Sequence, residues 1–252
     1  MYVLDMYVFD EIVLPHGPIT LMDVAARMIV DIRRVQPEGP YQLAGYSLGG
    51  NIVYEIAQQL HRAGEQVRLL ALVDCDGPGY PQLEPFARRA VTHVKHALGL
   101  GAMDGLQYLS KRFGNASRLM LGVQKNDLNL YADQQEAQMV PASVIEALER
   151  AVKPVIDAWE QYVPQRYPGS ALVIRADTRH EMIGVIDTDP LLGWAPLIGG
   201  DVHSETIVGD HFTILHATHA ARLAAILSRY LRSGGDADIA ESDVMARAVA
   251  ST

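Results

Sequence analysis

The sequence predicts an α/β fold: a mostly parallel sheet with flanking helices and a block of helices inserted between two of its strands. Three observations carry this prediction. Strand and helix patterns alternate to about residue 80, only helical patterns follow to about residue 168, and the alternation then resumes. Such alternation is typical of parallel strands joined by crossover helices. A chain of 252 residues is also long enough to bury a sizeable core.

The first helix is predicted from a start signal and an apolar repeat. A short strand near residues 7–13 and a loop come before it. Thr20 and Asp23 form a capping-box-like pair, with Asp in the place of Glu. Apolar residues then recur at helical spacing as far as the break at Pro37.

The next three elements complete a strand, helix and strand. The apolar run YQLAGYS (41–47) predicts a buried strand, and an amphipathic helix is expected from Asn51, with Gly64 capping its end. QVRLLALVDC (66–75) is almost continuously apolar, which is typical of a parallel strand covered on both faces. Residues 1–80 are therefore assigned to the first part of the core.

Residues 81–168 are predicted to form a helical lid over the sheet edge where ligands bind in such folds. Some of its apolar residues would shelter an apolar substrate, although helix packing would use them equally well: Leu98, Leu119, Met120, Leu121 and Trp159. Residues 169–232 supply the rest of the core, as strands SALVIRAD and HSETIV and a helix from about Ala217 to Leu231. The acidic tail, 233–252, is expected to be poorly ordered.

Composition limits the classes of function. A net charge of −9 argues against nucleic-acid partners and anionic membranes, which favour clustered Lys and Arg. Cys75 is the only cysteine, so no internal disulfide is possible and a cytoplasmic protein is expected. The apolar first residues lack a basic leader and are interrupted by Asp5, Asp10 and Glu11, so no targeting segment is expected. No apolar run reaches the eighteen residues of a membrane helix.

The strongest motif is Gly45-Tyr46-Ser47-Leu48-Gly49, which fits the G-x-S-x-G nucleophile elbow. The pentapeptide alone is a weak signal. Its position is what matters, because a buried strand ends on it and an amphipathic helix follows immediately. We therefore predict that Ser47 is a nucleophile on a strained turn, where only small neighbours avoid clashes.

A serine nucleophile needs a base, and position selects His211 among nine histidines. His211 lies in a turn after the last predicted strand, at the same sheet edge as Ser47. The remaining histidines have helical, capping or unsupported positions: His16, His61, His93, His96, His180, His203, His216 and His219. The i, i+3 pair His93 and His96 has no carboxylate or cysteine to complete a metal site, so no metal is predicted.

The acid that orients the base is less clearly marked. Asp74 ends the strand after the elbow helix, and Asp177 ends the following strand, which is the more usual position in this architecture. Asp76 is a third candidate. Spacing alone leaves Asp74 and Asp177 open.

Two segments together resemble the thioesterase domains that end nonribosomal peptide synthetases and polyketide synthases. They are GPYQLAGYSLGGNIVYEIAQQLHRAGEQVRLLALVD (39–74) and VGDHFTIL (208–215). The similarity extends from about Gly17 to Leu231, and the lid matches in helical character and length. In that family the acid follows the strand after the elbow, which favours Asp74.

The resemblance implies an α/β-hydrolase fold and a Ser-Asp-His thioesterase. Such a domain receives an acyl or peptidyl chain from the phosphopantetheine arm of a carrier protein, and it needs no cofactor of its own. The chain moves to Ser47 and leaves by hydrolysis or macrocyclisation. The backbone N–H of Leu48 would supply one oxyanion-hole donor.

One part of the family pattern is not matched. The family has more chain before the elbow, with an extra strand and a His-Pro-x-Gly-Gly-like turn that supplies a second oxyanion amide. Here 46 residues precede Ser47, without such a turn. Loss of one donor costs about 3–4 kcal/mol of transition-state stabilisation. Four explanations stay open: a fragment of a larger synthetase, a donor from another segment, weak activity, or substitution by the loop at His16–Gly17.

Three alternative functions also follow from the sequence. A stand-alone editing thioesterase and a general esterase would use the same triad. The third belongs to another class: a truncated, non-catalytic domain that binds a carrier protein.

Overall fold

The computed structural model describes residues 19–83, 85–99, 101, 103–104, 153–178, 185–186 and 188–233. Several sequence predictions fall outside these residues: the strand at 7–13, most of the lid between 105 and 152 with Leu119, Met120 and Leu121, and the tail from 234. In chain order the elements are α1 (Leu21–Val35), β1 (Tyr41–Tyr46), α2 (Leu48–Arg62), β2 (Val67–Val73), β3 (Gln82–Leu83), α3 (Phe86–Gly99), α4 (153–160), β4 (Ala171–Ala176), β5 (Val185–Ile186), a 3-10 turn (Ala195–Leu197), β6 (Val202–Ile207) and α5 (Ala217–Ser233).

Among the described residues, four strands form a parallel sheet in the order β1-β2-β4-β6. α1 and α2 pack on one face of this sheet and α5 packs on the other. The central strand β2 shows the reason for its apolar sequence: Leu70 and Leu72 face α1 and α2, whereas Leu69, Ala71 and Val73 face the α5 side. The predicted strand with two covered faces is confirmed.

The start of α1 follows its capping signal. The Thr20 amide donates to the Asp23 carboxylate at 3.0 Å, and the Asp23 amide donates to the Thr20 hydroxyl at 3.2 Å. The capping box is therefore complete. Four residues of the helix are buried against α2 and the sheet: Leu21, Val24, Ala25 and Met28.

The second helix begins earlier than the apolar periodicity indicated. It starts at Leu48, directly after the serine, and not near Asn51. The reason is that Gly49 and Gly50 carry no side chain, so the first turn gives no periodic signal. Its end agrees with the prediction, because Gly64 follows the helix with φ of 82°.

The two-residue strands β3 and β5 pair antiparallel and were not expected. Two residues are too few to show an alternating pattern in a sequence. Helical patterns were predicted for residues 81–168, and α3 is a helix at the start of that segment. Over the described residues, no helix has the length and apolar content that crossing a membrane requires.

Candidate active site

The carboxyl ends of the four parallel strands meet at one edge of the sheet. Tyr46 is in register with Val73, and Val73 with Ile174. In the next pair of strands, β4 and β6, Ala176 is in register with Ile207. The residues that follow each strand therefore leave the sheet at one edge, which is where open α/β sheets bind ligands.

Ser47 occupies a strained turn between β1 and α2. Its φ of 53° and ψ of −131° are values that residues with a side chain rarely adopt. The Ser47 amide donates to the Val73 carbonyl at 3.0 Å, and the Ser47 carbonyl accepts from the Gly50 amide at 2.8 Å. These bonds hold a half-buried serine at the sheet edge, in the conformation that the elbow motif predicts.

At two of the three glycine positions near Ser47, a side chain would clash with neighbouring atoms. A Cβ on Gly45 would lie 2.2 Å from the Gly49 carbonyl oxygen, and one on Gly50 would lie 2.4 Å from the Cys75 Sγ. A Cβ on Gly49 would meet no described atom within 4 Å. Close approach of α2 to β1 and to the end of β2 therefore requires glycine at 45 and 50.

Asp74 is buried at the end of β2 and is held on three sides. Its φ is 42°, and its amide donates to the Ile174 carbonyl at 2.6 Å. One carboxylate oxygen accepts from the Ala176 amide at 2.9 Å. The other lies 2.7 Å from Nδ1 of His211. The residue is 4% exposed, so the carboxylate is both fixed and shielded from water.

His211 follows β6 and contacts the ends of both β1 and β2. Its imidazole meets Asp74 through Nδ1 and stacks on the Tyr46 ring, with centroids 4.9 Å apart and planes 25° apart. When Nδ1 carries the proton, Nε2 is an unprotonated acceptor. The imidazole is about one quarter exposed, which leaves it accessible from the sheet edge.

The turn that carries His211 is built from its motif residues. The Asp210 carboxylate accepts from the amides of Phe212 and Thr213, at 3.0 and 2.8 Å, and from the Thr213 hydroxyl at 2.8 Å. Gly209 has φ of 120°, and a Cβ there would lie 2.9 Å from the Thr213 hydroxyl. The G-D-H-x-T pattern thus describes a closed turn that fixes the histidine backbone.

The other two candidate acids have different partners. Asp177 is exposed, and its carboxylate accepts from the Gly209 amide at 2.9 Å and from the Thr178 hydroxyl at 3.0 Å. These hydrogen bonds, the Gly209 amide first, lower the pKa of Asp177. Asp76 presents its backbone carbonyl to the Asn51 amide group at 3.2 Å. The carboxylate that the structure brings to the Nδ1 of His211 is that of Asp74.

The loop after Asp74 is clamped by residues that the sequence did not single out. Asn51, on the first turn of α2, donates to the Cys75 Sγ and to the Asp76 carbonyl, both at 3.2 Å. The buried Trp194 donates from Nε1 to the Cys75 carbonyl at 2.7 Å. Nothing in a linear sequence marks such contacts, because Trp194 lies 119 positions from Cys75. Cys75 is buried in the core, and this burial raises the pKa of its thiol.

The predicted oxyanion site falls only in part among the described residues. Leu48 is the first residue of α2, and the first amides of a helix have no acceptor within it. The loop at His16 and Gly17, predicted as a possible source of a second oxyanion donor, lies outside the described residues. Within the part of the chain that the structure describes, no group of three or more His, Cys, Asp or Glu side chains could hold a metal ion.

Comparison with known proteins identifies the family. The model of the thioesterase domain matches residues 16–231. The chain belongs to the thioesterase-domain family. Relatives of this thioesterase domain include a dimodular nonribosomal peptide synthase of Bacillus subtilis, 29% identical over 84% of the chain and 8% of the relative. A non-reducing polyketide synthase of Cladonia metacorallifera, crz7, is 30% identical over 82% of the chain and 10% of the relative.

Solved structures agree on the fold. ClbQ, from the colibactin pathway, matches with a TM-score of 0.54 and 18% identity, over 89% of the thioesterase domain and 81% of ClbQ. The NocB thioesterase domain matches with a TM-score of 0.52 and 22% identity, over 89% of this chain and 78% of the NocB domain. The chain therefore has an α/β-hydrolase fold. It spans about a tenth or less of the two curated relatives described above.

Proposed function

We propose that this thioesterase domain releases an acyl or peptidyl chain from the phosphopantetheine thioester of a carrier protein, with Ser47, His211 and Asp74 as its triad. The observation that supports this most is the 2.7 Å contact between Asp74 and the Nδ1 of His211, at the edge where Ser47 lies on its strained turn. The named relatives, which are peptide and polyketide synthases, support the substrate class.

The first half-reaction is acyl transfer to the serine. His211 Nε2 takes the Ser47 hydroxyl proton as the oxygen attacks the thioester carbonyl, and the Leu48 amide donates to the resulting oxyanion. The carbon–sulfur bond then breaks, and the imidazolium returns its proton to the pantetheine sulfur. Asp74 holds the imidazole in the Nδ1–H tautomer and stabilises its protonated form.

The second half-reaction frees the chain. Water, or an amine or hydroxyl of the acyl chain itself, attacks the acyl-serine, with His211 as base and then as acid. Water gives a linear acid, and an internal nucleophile gives a ring. The reaction needs no cofactor, because the carrier protein brings the phosphopantetheine with the substrate. The proposed lid, residues 81–168, would cover this edge and select between the two outcomes.

Labelling by a fluorophosphonate tests the nucleophile. The wild-type domain should be labelled at Ser47, and Ser47→Ala should not be labelled. A folded wild-type domain that resists labelling would favour the non-catalytic, carrier-binding function. The amounts of product formed from a panel of acyl-pantetheine thioesters and matched oxygen esters then distinguish the possible enzyme classes. A preference for oxygen esters would indicate a general esterase, and a preference for short acyl groups an editing thioesterase.

A matched pair of substitutions tests the acid. Asp74→Asn should lower kcat by about 10⁴-fold, because the wrong imidazole tautomer is favoured. Asp177→Asn removes a carboxylate of the same size from a neighbouring strand end, where it accepts from Gly209. Its effect on kcat should be at most about tenfold, because the change weakens hydrogen bonds to Gly209 and Thr178 and not one to the imidazole. The reverse order of effects would show that the acid is Asp177.

A further inference from the structure

The residue before the serine contacts the histidine in two ways. Tyr46, the last residue of β1, stacks its ring on the His211 imidazole at a centroid distance of 4.9 Å. Its hydroxyl donates a hydrogen bond to the backbone carbonyl of the same histidine. One side chain therefore restrains both the ring and the backbone of His211.

These contacts complement that of Asp74. The carboxylate holds the imidazole at its edge, through Nδ1, at 2.7 Å. The Tyr46 ring covers a face of the imidazole. The Phe212 ring is nearly perpendicular to the imidazole, with ring centroids 5.4 Å apart. A hydrogen bond to Nδ1 alone leaves the ring free to rock about that atom. A stacked ring limits this motion, which keeps Nε2 in one direction.

We propose that Tyr46 is a positioning residue for His211, which rests on the proposed function of that histidine as the base. Tyr46 and Ser47 are joined by one peptide bond. The side chain that restrains the base is therefore attached directly to the nucleophile, so the turn after β6 is fixed relative to Ser47 and not only to the sheet. Residue 46, a variable position of the elbow motif, has a defined task in this chain.

Two substitutions at position 46 separate the contacts. Tyr46→Phe keeps the stacked ring and removes the hydroxyl that donates to the His211 carbonyl. Tyr46→Leu removes both. With an acyl-pantetheine thioester, we expect kcat to fall about threefold to tenfold for Tyr46→Phe and about tenfold to a hundredfold for Tyr46→Leu, because small misplacements of a catalytic group have effects of this size. KM should change by less than about twofold, since Tyr46 acts on the base and not on substrate binding.

The matched control lies on the same strand. Tyr41 is the first residue of β1, and its hydroxyl also donates to a backbone carbonyl, that of Pro37, at 3.1 Å. Tyr41→Phe removes an equivalent hydrogen bond at the opposite end of β1. It should lower the melting temperature comparably to Tyr46→Phe, while kcat stays at the wild-type value.

A double-mutant cycle with His211→Ala decides whether Tyr46 acts through the histidine. The measurement is the second-order rate of fluorophosphonate labelling at Ser47, with circular dichroism to confirm folding. Tyr46→Leu should slow labelling at least tenfold in the wild-type background and less than about twofold when His211 is already absent.

Each outcome has one meaning. An equal loss in both backgrounds would overturn the positioning role and leave the triad intact. No effect of His211→Ala in the wild-type background would overturn the proposed function itself. If Tyr46→Leu does not fold, the comparison of Tyr46→Phe with Tyr41→Phe decides, and equal kcat values for the two would overturn the inference.

Discussion

Ser47 and Asp74 follow adjacent strands, and both have left-handed backbone angles, with φ of 53° and 42°. A non-glycine residue in this region costs about 1–3 kcal/mol, so it persists only where its surroundings fix it. Here the Ser47 amide is bonded to Val73, and the Asp74 amide is bonded to Ile174. The side chains of the proposed nucleophile and acid are thus held in strained turns whose amides are both hydrogen-bonded.

Alanine substitutions at two elbow glycines should have opposite effects on stability. Gly45→Ala places a Cβ 2.2 Å from a backbone oxygen and 2.6 Å from the Val53 side chain. It should lower the free energy of unfolding by about 1–3 kcal/mol or more. Gly49→Ala meets no described atom and replaces glycine in a helix, so it should raise this energy by about 0.5–1 kcal/mol. Urea denaturation of both variants checks the prediction, and two values of the same sign would contradict it.

The choice of acid shows what sequence reasoning could and could not reach at this scale. The motif marked Ser47 as the candidate nucleophile, and the turn before the last helix marked His211 as the candidate base. Asp74 and Asp177 both end a strand at the same sheet edge, so periodicity treats them alike. Their difference is one of side-chain surroundings, since Asp74 is buried and Asp177 exposed. Only the family resemblance favoured Asp74 before the contact with His211 was seen.

At the scale of elements, helix α2 links the serine to the last part of the predicted lid. Glu55, 2% exposed, accepts from the Tyr162 hydroxyl at 2.5 Å and from Arg62 at 2.9 Å. Gln58 joins the same cluster by donating to the Tyr162 hydroxyl at 2.9 Å. The segment after α4 is therefore tied to helix α2, which begins directly after Ser47.

Removing one hydroxyl from this cluster should be costly. Tyr162→Phe takes away a hydrogen bond to a buried carboxylate and should lower the free energy of unfolding by about 1.5–3 kcal/mol. Lys153→Gln is the control, because its exposed ion pair with Asp157 in α4 contributes only about 0.3–0.5 kcal/mol. Equilibrium urea unfolding measures both, and similar losses would show that the Glu55 cluster does not anchor this segment.

Element prediction succeeded where the pattern was long. The helices α1, α2, α3 and α5 and the four strands of the sheet all lie where helical or strand patterns were expected, because each spans at least six residues with a recognisable pattern. The two-residue strands β3 and β5 were missed. The cluster around Glu55 was also missed, since a charged residue on an amphipathic helix is ordinarily assigned to its solvent face.

At the scale of the whole molecule, four buried or half-buried tyrosines make stability depend on alkaline pH. Burial raises the pKa of Tyr54 to about 12, and it also raises the pKa values of Tyr162, Tyr167 and Tyr230. In the unfolded chain these groups ionise near pH 10, so ionisation there favours the unfolded state. Their contribution is complete below about pH 10 and is lost as pH rises through the folded-state pKa values.

The free energy of unfolding should therefore fall steeply between pH 10 and about 12. Tyr54→Phe should be less stable at pH 7, because its hydroxyl donates to the Leu197 carbonyl at 2.7 Å and accepts from the Tyr167 amide at 3.1 Å. Its decline above pH 10 should nevertheless be shallower, since one shifted group is gone. Urea unfolding at several pH values tests this, and parallel curves for the two proteins would contradict it.

The contact between Gly50 and Cys75 has a practical consequence. Helix α2 lies so close to the single sulfhydryl that even a methyl group cannot be inserted between them, and the thiol is 1% exposed. An alkylating reagent added to the native domain has no accessible sulfur to modify. Alkylation of this one sulfur atom would therefore report the opening of the chain around the loop after Asp74, without any engineered probe.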